Sequence, residues 1–184
     1  MRCSALLLAG GKSSRMGRDK ALLEIDGQPL WQRQIATLRA LAPEQLLLSG
    51  PPRADWNGYD VLPDEMTDAG PLAGIAAALE KCLSCHLVVL AVDLPYMTRN
   101  FLESLLALCL DGRGAVPRGG RGYEPLAAVY PISCAPLAGE ALRQRDFSLQ
   151  NFVRKGIAAR MLVERSVSAA EISLFTNLNT PADL

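Results

Sequence analysis

Residues 5–20 have the sequence ALLLAGGKSSRMGRDK. The apolar run from Ala5 to Leu8 predicts a fully buried β-strand, and the chain then becomes glycine-rich, polar and basic. The adjacent glycines Gly10 and Gly11 permit positive φ angles and let backbone N–H groups approach a ligand closely. Four cationic side chains follow in the same loop: Lys12, Arg15, Arg18 and Lys20. Because a polyphosphate requires exposed amides with cations alongside, this segment predicts a phosphate-binding loop.

The loop matches neither of the two common phosphate-binding motifs. A Walker loop has the form Gly-x4-Gly-Lys-Ser/Thr, and no glycine stands at the required distance before the pair Gly11-Lys12. The dinucleotide fingerprint Gly-x-Gly-x-x-Gly does not fit Gly10 and Gly11 followed by Gly17. A strand-to-helix turn that happens to be basic is the alternative interpretation of this segment.

Length and composition indicate one globular domain over residues 1–184. Hydrophobic residues make up 49% of the chain and charged residues 21%, as in ordinary soluble domains. Nineteen basic and nineteen acidic residues cancel to zero net charge, which argues against general nucleic-acid binding. An anionic ligand must therefore be met by a local group of cations.

The sequence predicts a cytoplasmic protein that does not enter a membrane. No apolar stretch reaches about 18 residues, the length at which a transmembrane helix is expected. A single Arg precedes the first apolar run, which is too short for a signal peptide. Five scattered cysteines, an odd number, favour reduced thiols.

The segment Cys82-Leu83-Ser84-Cys85-His86 has the spacing of a c-type haem attachment site. Without an export signal, we interpret it instead as a helix end followed by the start of a strand, with the cysteines packed as small hydrophobic residues. His86 is the only histidine, so a histidine-based zinc site is not expected.

Strands and helices are predicted to alternate along the chain, which indicates βαβ units and a mostly parallel sheet. A helix after Pro29 carries Trp31, Ile35, Leu38 and Leu41 at helical spacing and ends at Pro43. Later helices are predicted to start at Pro71, to cover residues 131–143, and to run from Ser148 to before Gly156. Another helix is predicted after a cap at Thr98 or Asn100, with an inward face that extends to Leu108. Strands are predicted over 5–8, 45–49, 60–62, 86–92, 126–130 and 159–163. Residues 112–122, rich in Gly and Arg, are predicted to form a mobile loop.

Ligands of such sheets bind outside the carboxyl ends of the strands. Three polar sites fall at predicted strand ends: the loop 10–20, Asp64 after Leu62, and Asp93 after Val92. A carboxylate in the position of Asp93 suits Mg²⁺, which takes one or two protein carboxylates together with phosphate oxygens. The alternative is a turn or helix-capping Asp before Pro95.

The chain resembles the molybdenum cofactor guanylyltransferases, because residues 8–20 reproduce their pattern Leu-Ala-Gly-Gly-x-Ser-x-Arg-Met-Gly-x-Asp-Lys. The resemblance covers almost the whole chain. Further matching segments are Leu22-Leu23-Glu24, Gly27-Gln28-Pro29-Leu30, Gly70-Pro71-Leu72-Ala73-Gly74, Asp93-Leu94-Pro95 and Asn177-Leu178-Asn179-Thr180-Pro181.

The resemblance implies a Rossmann-like, three-layer α/β/α fold of the nucleotide-diphospho-sugar transferase type. It implies a nucleotidyltransferase that moves GMP from Mg·GTP to molybdenum-bound molybdopterin, giving molybdopterin guanine dinucleotide and pyrophosphate. The implied cofactor is Mg²⁺, and the implied partners are GTP and the molybdopterin cofactor. Cofactor-insertion proteins and apo-molybdoenzymes would be the further protein partners.

The resemblance also assigns roles to residues. Arg15, Lys20 and Asp93 would act in catalysis, and Asp93 would bind the metal. Asn177 and Asn179 would lie on the pterin side, although a turn with a helix cap explains them equally well. The nucleotide ligands would be Leu8, Ala9, Gly10, Gly11, Lys20, Ser49, Asp64 and Asp93.

Several of these assignments have simpler alternatives. Lys20 can be an exposed loop lysine, and Asp64 a solvated turn residue. Many family members have Asn where this chain has Ser49, so a hydroxyl or a backbone group would have to replace that contact to the base. Arg15, Arg118 and Arg121 are candidates for binding the pterin's phosphate, or solvated loop residues.

Two other functions remain open from the sequence. The first is cytidylyl transfer to the same cofactor, although those relatives typically read Leu-Ala-Ala-Gly where this chain has Leu8-Ala9-Gly10-Gly11. The second is a non-catalytic GTP-binding adaptor that hands the cofactor to an apo-enzyme. Release of pyrophosphate separates an enzyme from an adaptor.

Overall fold

A computed structural model of the protein describes residues 2–10, 20–62, 69–110 and 112–178. The helices are α1 Leu30–Arg39, α2 Pro71–Lys81, α3 Arg99–Leu106, α4 Ala135–Arg143 and α5 Leu149–Ala158. The strands are β1 Ser4–Leu8, β2 Glu24–Ile25, β3 Gln28–Pro29, β4 Gln45–Ser49, β5 Asp60–Leu62, β6 His86–Ala91, β7 Gly114–Gly119, β8 Gly122–Tyr123, β9 Ala127–Pro131 and β10 Leu162–Ser166.

The main sheet has the strand order β10-β7-β9-β6-β1-β4-β5, and β8 pairs with β7. The strands β6, β1, β4 and β5 pair in parallel, as do β7 and β10. Only β9 in this order runs antiparallel to both of its neighbours. The predicted mostly parallel sheet is therefore confirmed. The strands β2 and β3 form a separate hairpin, whose turn residues Asp26 and Gly27 both have positive φ, as a tight two-residue hairpin requires.

Helices cover both faces of the sheet, which confirms the predicted three-layer architecture. The apolar stripes of α1 and α3 pack on one face, and those of α2, α4 and α5 pack on the other. Every residue of β1 and of β6 is buried, because each lies inside the sheet between two layers of helix. The carboxyl ends of these two central strands are therefore held by a rigid core that excludes water.

Residues 112–122 do not form the predicted loop. The segment from Gly114 to Gly119 is strand β7, and its first four residues are buried. A Cβ on Gly114 would collide with the carbonyl oxygen of Val129 and lie 2.7 Å from Cδ of Pro131, so glycine is required where β7 approaches β9. The glycine- and arginine-rich composition of the segment predicted a loop, but tertiary packing makes it a strand.

Several element boundaries differ from the predicted ones. Helix α1 ends at Arg39 rather than at Pro43, and Ala42 then turns the chain with a φ of 50°. Helix α5 continues through Gly156 to Ala158. A Cβ on Gly156 would lie only 2.7 Å from Leu162, so the glycine serves close packing rather than a helix end. Strand β10 consequently starts at Leu162. Leu108 follows α3 and is exposed, so its predicted inward position is wrong.

Other predicted features are confirmed. Thr98 caps α3 by accepting a hydrogen bond from the backbone N–H of Phe101, and Ser148 caps α5 in the same way. Pro71 occupies the first turn of α2. Cys82 is buried at the end of α2, and His86 begins β6, so the segment between them is the predicted helix–strand connection. Cys85 is exposed, however, so its predicted packing as a small hydrophobic residue is wrong. In the described part of the chain, no helix is both long and apolar enough to cross a membrane.

The close packing of Gly114 can be tested by substitution, with a second glycine as the control. We expect Gly114→Ala to lower the free energy of unfolding by about 1–3 kcal/mol, because the added methyl group must displace the backbone of β9. The control is Gly139→Ala in α4, where an added Cβ meets only the guanidinium of Arg143 at 4.0 Å. That change is expected to stabilise the protein by about 0.5–1 kcal/mol. Urea unfolding followed by circular dichroism measures both, and equal effects would contradict the assigned packing.

Candidate functional site

The exits of three parallel strands lie side by side at one edge of the sheet. In register, Leu8 of β1 lies between Ser49 of β4 and Ala91 of β6. Two backbone hydrogen bonds extend this pairing beyond the strands, from Ala9 N to Ser49 O at 2.9 Å and from Val92 N to Leu8 O at 3.0 Å. The structure thereby brings together five residues predicted from sequence: Leu8, Ala9, Gly10, Ser49 and Asp93.

The backbones of Gly10 and Gly50 touch where these strands end. A Cβ on Gly10 would lie 3.0 Å from Cα of Gly50, and a Cβ on Gly50 would lie 2.9 Å from N of Gly10. Neither position can therefore carry a side chain without moving the other strand. Gly50 is buried and Gly10 is exposed, so the backbone that a ligand can approach closely at the beginning of the predicted phosphate loop is that of Gly10.

Helix α2 packs against this junction of β1 and β4 from one face of the sheet. A Cβ on Gly74 would lie 2.5 Å from Oγ of Ser49 and 2.9 Å from Cδ2 of Leu8. Ser49 itself is buried, with only 7% of its surface exposed. Its hydroxyl group thus lies against α2, and a role for Ser49 in binding a base stays a prediction.

Lys20 and Asp93 form an ion pair at the same edge, with 3.5 Å between Nζ and Oδ2. Their side chains are 25% and 22% exposed, so both charges are partly withdrawn from water but open on one side. Lys20 begins a short 3-10 turn after the loop, and Asp93 follows β6. A fixed cation beside a fixed carboxylate suits a phosphate chain that carries a divalent cation.

The turn that bears Asp93 is bonded to helix α1. Gln34 is fully buried, and its side-chain amide donates to the carbonyl oxygen of Leu94, with a longer contact of 3.5 Å to that of Ala91. Arg33, the preceding residue, donates from Nε to the carbonyl oxygen of Pro95 at 3.1 Å. Sequence reasoning missed Gln34. Its signal was a polar residue within the apolar stripe formed by Trp31, Ile35 and Leu38.

The C-terminal segment reaches the same turn. The backbone N–H of Leu178 donates to the carbonyl oxygen of Asp93 at 3.1 Å, and the Leu178 side chain is buried. This contact brings the neighbouring Asn177 close to the Asp93 turn, and its role on the pterin side stays a prediction. Gly11, Arg15, Asp64 and Asn179 lie outside the described residues, so their assignments stay predictions.

A 3-10 segment from Ala169 to Phe175 precedes Asn177 and anchors the C-terminal segment to the rest of the protein. Ser168 and Glu171 form a capping box at its start, and Arg165 binds the Glu171 carboxylate at 2.6 Å. The Arg165 guanidinium and the Ser168 backbone N–H hold the pKa of Glu171 at about 2. Phe175 packs edge-on against Phe101, with ring centroids 5.2 Å apart.

A groove of about 670 Å³ opens next to Asn177. It lies between the turn after β7, the start of β9 and the C-terminal segment. Arg118 at its border is paired with Glu164 at 3.0 Å, and the Tyr123 hydroxyl donates to the same carboxylate at 2.6 Å. Arg121 and Glu124 line the groove itself. Of the three arginines considered for the pterin's phosphate, Arg118 is paired with Glu164, Arg121 is exposed, and Arg15 lies outside the described residues.

Comparison with known proteins places these features in context. The family model described as a MobA-like NTP transferase domain matches residues 5–161. A probable molybdenum cofactor guanylyltransferase of Opitutus terrae is 37% identical, covering 96% of this chain and 90% of that protein. A molybdenum cofactor guanylyltransferase of Pseudomonas putida is 33% identical, covering 99% and 95%. The crystal structure of molybdopterin-guanine dinucleotide biosynthesis protein A of Archaeoglobus fulgidus superposes with a TM-score of 0.78 at 24% identity, covering 98% and 94%.

The contact between Gln34 and the Asp93 turn makes a second prediction. We expect Gln34→Leu to release the turn while keeping the helix, since leucine fits an apolar stripe. The Mg²⁺ concentration needed for half-maximal nucleotidyl transfer should rise roughly tenfold, the scale of one lost hydrogen bond at a preorganised group. Gln32→Leu is the matched control, because Gln32 is exposed on the same helix. The assigned positioning role is wrong if the two variants require the same Mg²⁺ concentration.

Proposed function

Because this chain belongs to the MobA-like NTP transferase family, we propose that it transfers GMP from GTP to molybdopterin and releases pyrophosphate. The observation that carries the proposal is similarity over nearly the full length to relatives named molybdenum cofactor guanylyltransferase. The charged pair of Lys20 and Asp93 at the strand ends supports it locally.

The chain's own residues have a limited chemical task in this reaction. The attacking oxygen belongs to a phosphate group that is already anionic at neutral pH, so no general base is needed. Catalysis then rests on holding the two substrates in line and on neutralising charge at the reacting phosphorus. Lys20 supplies a cation whose position is fixed by Asp93, and the backbone around Gly10 admits the phosphate chain closely.

The donor chemistry of Asp93 fits Mg²⁺. A partly desolvated carboxylate is a hard oxygen ligand, and Mg²⁺ uses one or two such groups together with phosphate oxygens. When bound, the ion would polarise the phosphate oxygens and neutralise charge on the leaving pyrophosphate. The contacts of the Asp93 turn to Gln34 and Leu178 would keep the carboxylate in place.

The setting of the reaction is part of the proposal. We place it in the cytoplasm, with free GTP and molybdopterin as substrates and without nucleic acid or membrane. Five free cysteines and a net charge of zero are consistent with that setting. Cofactor-insertion proteins and apo-molybdoenzymes would receive the product.

The direct test supplies the purified protein with Mg²⁺, molybdopterin and each of the four nucleoside triphosphates. We expect pyrophosphate and a guanine dinucleotide product with GTP, detected by a coupled assay and by mass spectrometry. CTP should react at least tenfold more slowly, the scale on which one lost base contact acts. Equal use of GTP and CTP would favour cytidylyl transfer. GTP binding without pyrophosphate release would favour the adaptor.

Substitutions of Asp93 and Lys20 are expected to affect different steps, the transfer reaction and the binding of GTP respectively. Asp93→Asn keeps the shape of the side chain but removes its charge, so transfer should fall about 100-fold or more while GTP affinity changes little. Lys20→Ala removes a charge directed at the phosphates, so GTP affinity should fall roughly tenfold or more. Asp60→Asn and Lys81→Ala, both exposed, are the matched controls. Turnover and Mg²⁺ dependence unchanged in Asp93→Asn would place the metal elsewhere.

A further inference from the structure

The groove beside Asn177 lies directly next to the Asp93 turn. Asn177 lines the groove, and the next residue, Leu178, is hydrogen-bonded to Asp93. On the other side, the backbone N–H of Ala91 donates to the carbonyl oxygen of Leu126 at 2.8 Å, two residues after Glu124. The groove therefore lies on the β9 side of the Asp93 turn, whereas Gly10 lies on the β1 side.

The side chain of Glu124 lines this groove, and its carboxylate has no hydrogen-bond donor from the described part of the protein. Its backbone is fixed, since its N–H donates to Pro117 O at 2.9 Å and its carbonyl accepts from Ala127 N. In the described part of the chain, no donor is hydrogen-bonded to its side chain, and the nearby charge is that of exposed Arg121. Burial raises the pKa of the Glu124 carboxyl, with Arg121 opposing the shift. A ligand that displaces water from this partly buried carboxylate must supply hydrogen-bond donors of its own, or binding costs free energy.

The surroundings of Glu124 leave room for a flat ring. A Cβ on Gly119 would contact Oε1 of Glu124 at 3.4 Å, so the absence of a side chain there keeps that oxygen open. An added Cβ on Gly120 would meet nothing within 4 Å. The same groove is lined by the apolar side chains of Ile172 and Phe175, and Ile172 is 64% exposed. A groove lined by apolar side chains together with a carboxylate is suited to a planar heterocycle with polar edges.

Resting on the proposed function, we propose that Glu124 selects the acceptor by its pterin ring. The two carboxylate oxygens accept from the ring N–H and the adjacent exocyclic amino group of the 2-amino-4-oxo pyrimidine edge. That edge presents two parallel donors, which a carboxylate binds in bidentate fashion. Glu124 is thus a specificity-determining residue for the second substrate. The guanine base of GTP carries the same pair of donors, so a test must separate the two substrates.

The first experiment measures the KM for molybdopterin and the KM for GTP independently in Glu124→Gln. Glutamine replaces one acceptor oxygen with an NH2 group that opposes the substrate's donors. We expect the KM for molybdopterin to rise roughly 10- to 100-fold, and the KM for GTP to stay within about twofold. Glu140→Gln, on the exposed face of α4, is the matched control. An unchanged molybdopterin KM overturns the proposal, and a rise in the GTP KM instead would assign the carboxylate to guanine.

A second experiment needs no turnover, and its first arm uses the unaltered protein alone. Pterin-6-carboxylate and lumazine-6-carboxylate differ at C2, where the first has an amino group and the second a carbonyl oxygen. Fluorescence titration of the unaltered protein should show pterin binding at least tenfold more tightly, with the preference lost in Glu124→Gln. Equal binding of both compounds overturns the proposal. A pterin preference that depends on Glu124 in a protein without GMP transfer would instead overturn the proposed function alone.

Discussion

The turn from Ala91 to Leu94 is held by three separate parts of the chain, and the candidate site depends on it. Helix α1 contributes the buried amide of Gln34, and the C-terminal segment contributes the backbone N–H of Leu178. Lys20, after the phosphate loop, pairs with the carboxylate of Asp93. A carboxylate at the end of a fully buried strand is costly without such partners. Lys20 is the partner that meets this carboxylate, whereas Gln34 and Leu178 hold the backbone of the turn and so fix its direction.

The glycines at the strand exits have a packing role as well as a chemical one. Gly10 and Gly50 are adjacent because parallel pairing of β1 and β4 places their carboxyl ends side by side. Gly74 extends the constraint to α2, which would otherwise collide with Ser49. Dense packing at this junction leaves backbone rather than side chains at the surface. A ligand with several anionic oxygens can then approach the chain closely.

The antiparallel strand β9 divides the edge of the sheet into two halves. Parallel strands contribute their carboxyl ends to the edge, whereas β9 contributes its beginning. This reversal brings Glu124 close to the end of β6, although the two are about thirty residues apart in sequence. Gly10, at the start of the predicted phosphate loop, lies on the β1 side of the Asp93 turn, and the groove with Glu124 lies on the other side. Such an arrangement suits a transfer between two substrates that meet at Asp93.

Much of the architecture was predictable because local patterns were strong. The apolar runs of β1 and β6, the strand 45–49, the helix start at Pro71 and the caps at Thr98 and Ser148 each carried a signal within a few residues. The predictions failed where long-range packing overrode composition. Residues 114–119 read as a loop, yet the space between β9 and β10 makes them a strand. Gly156 read as a helix end, yet it lies within α5 against Leu162.

The candidate site shows the same division. Parallel strands end at one edge of a sheet, so the sequence alone predicted that Asp93 would lie there together with the segment that follows β1. It also carried the resemblance to guanylyltransferases in the continuous segment 8–20. The sequence did not indicate the contact of Gln34 with the Asp93 turn or the position of Glu124 in the groove, which long-range packing establishes. Their roles arise from contacts across elements distant in sequence, and no local pattern distinguishes such a residue from an ordinary polar side chain.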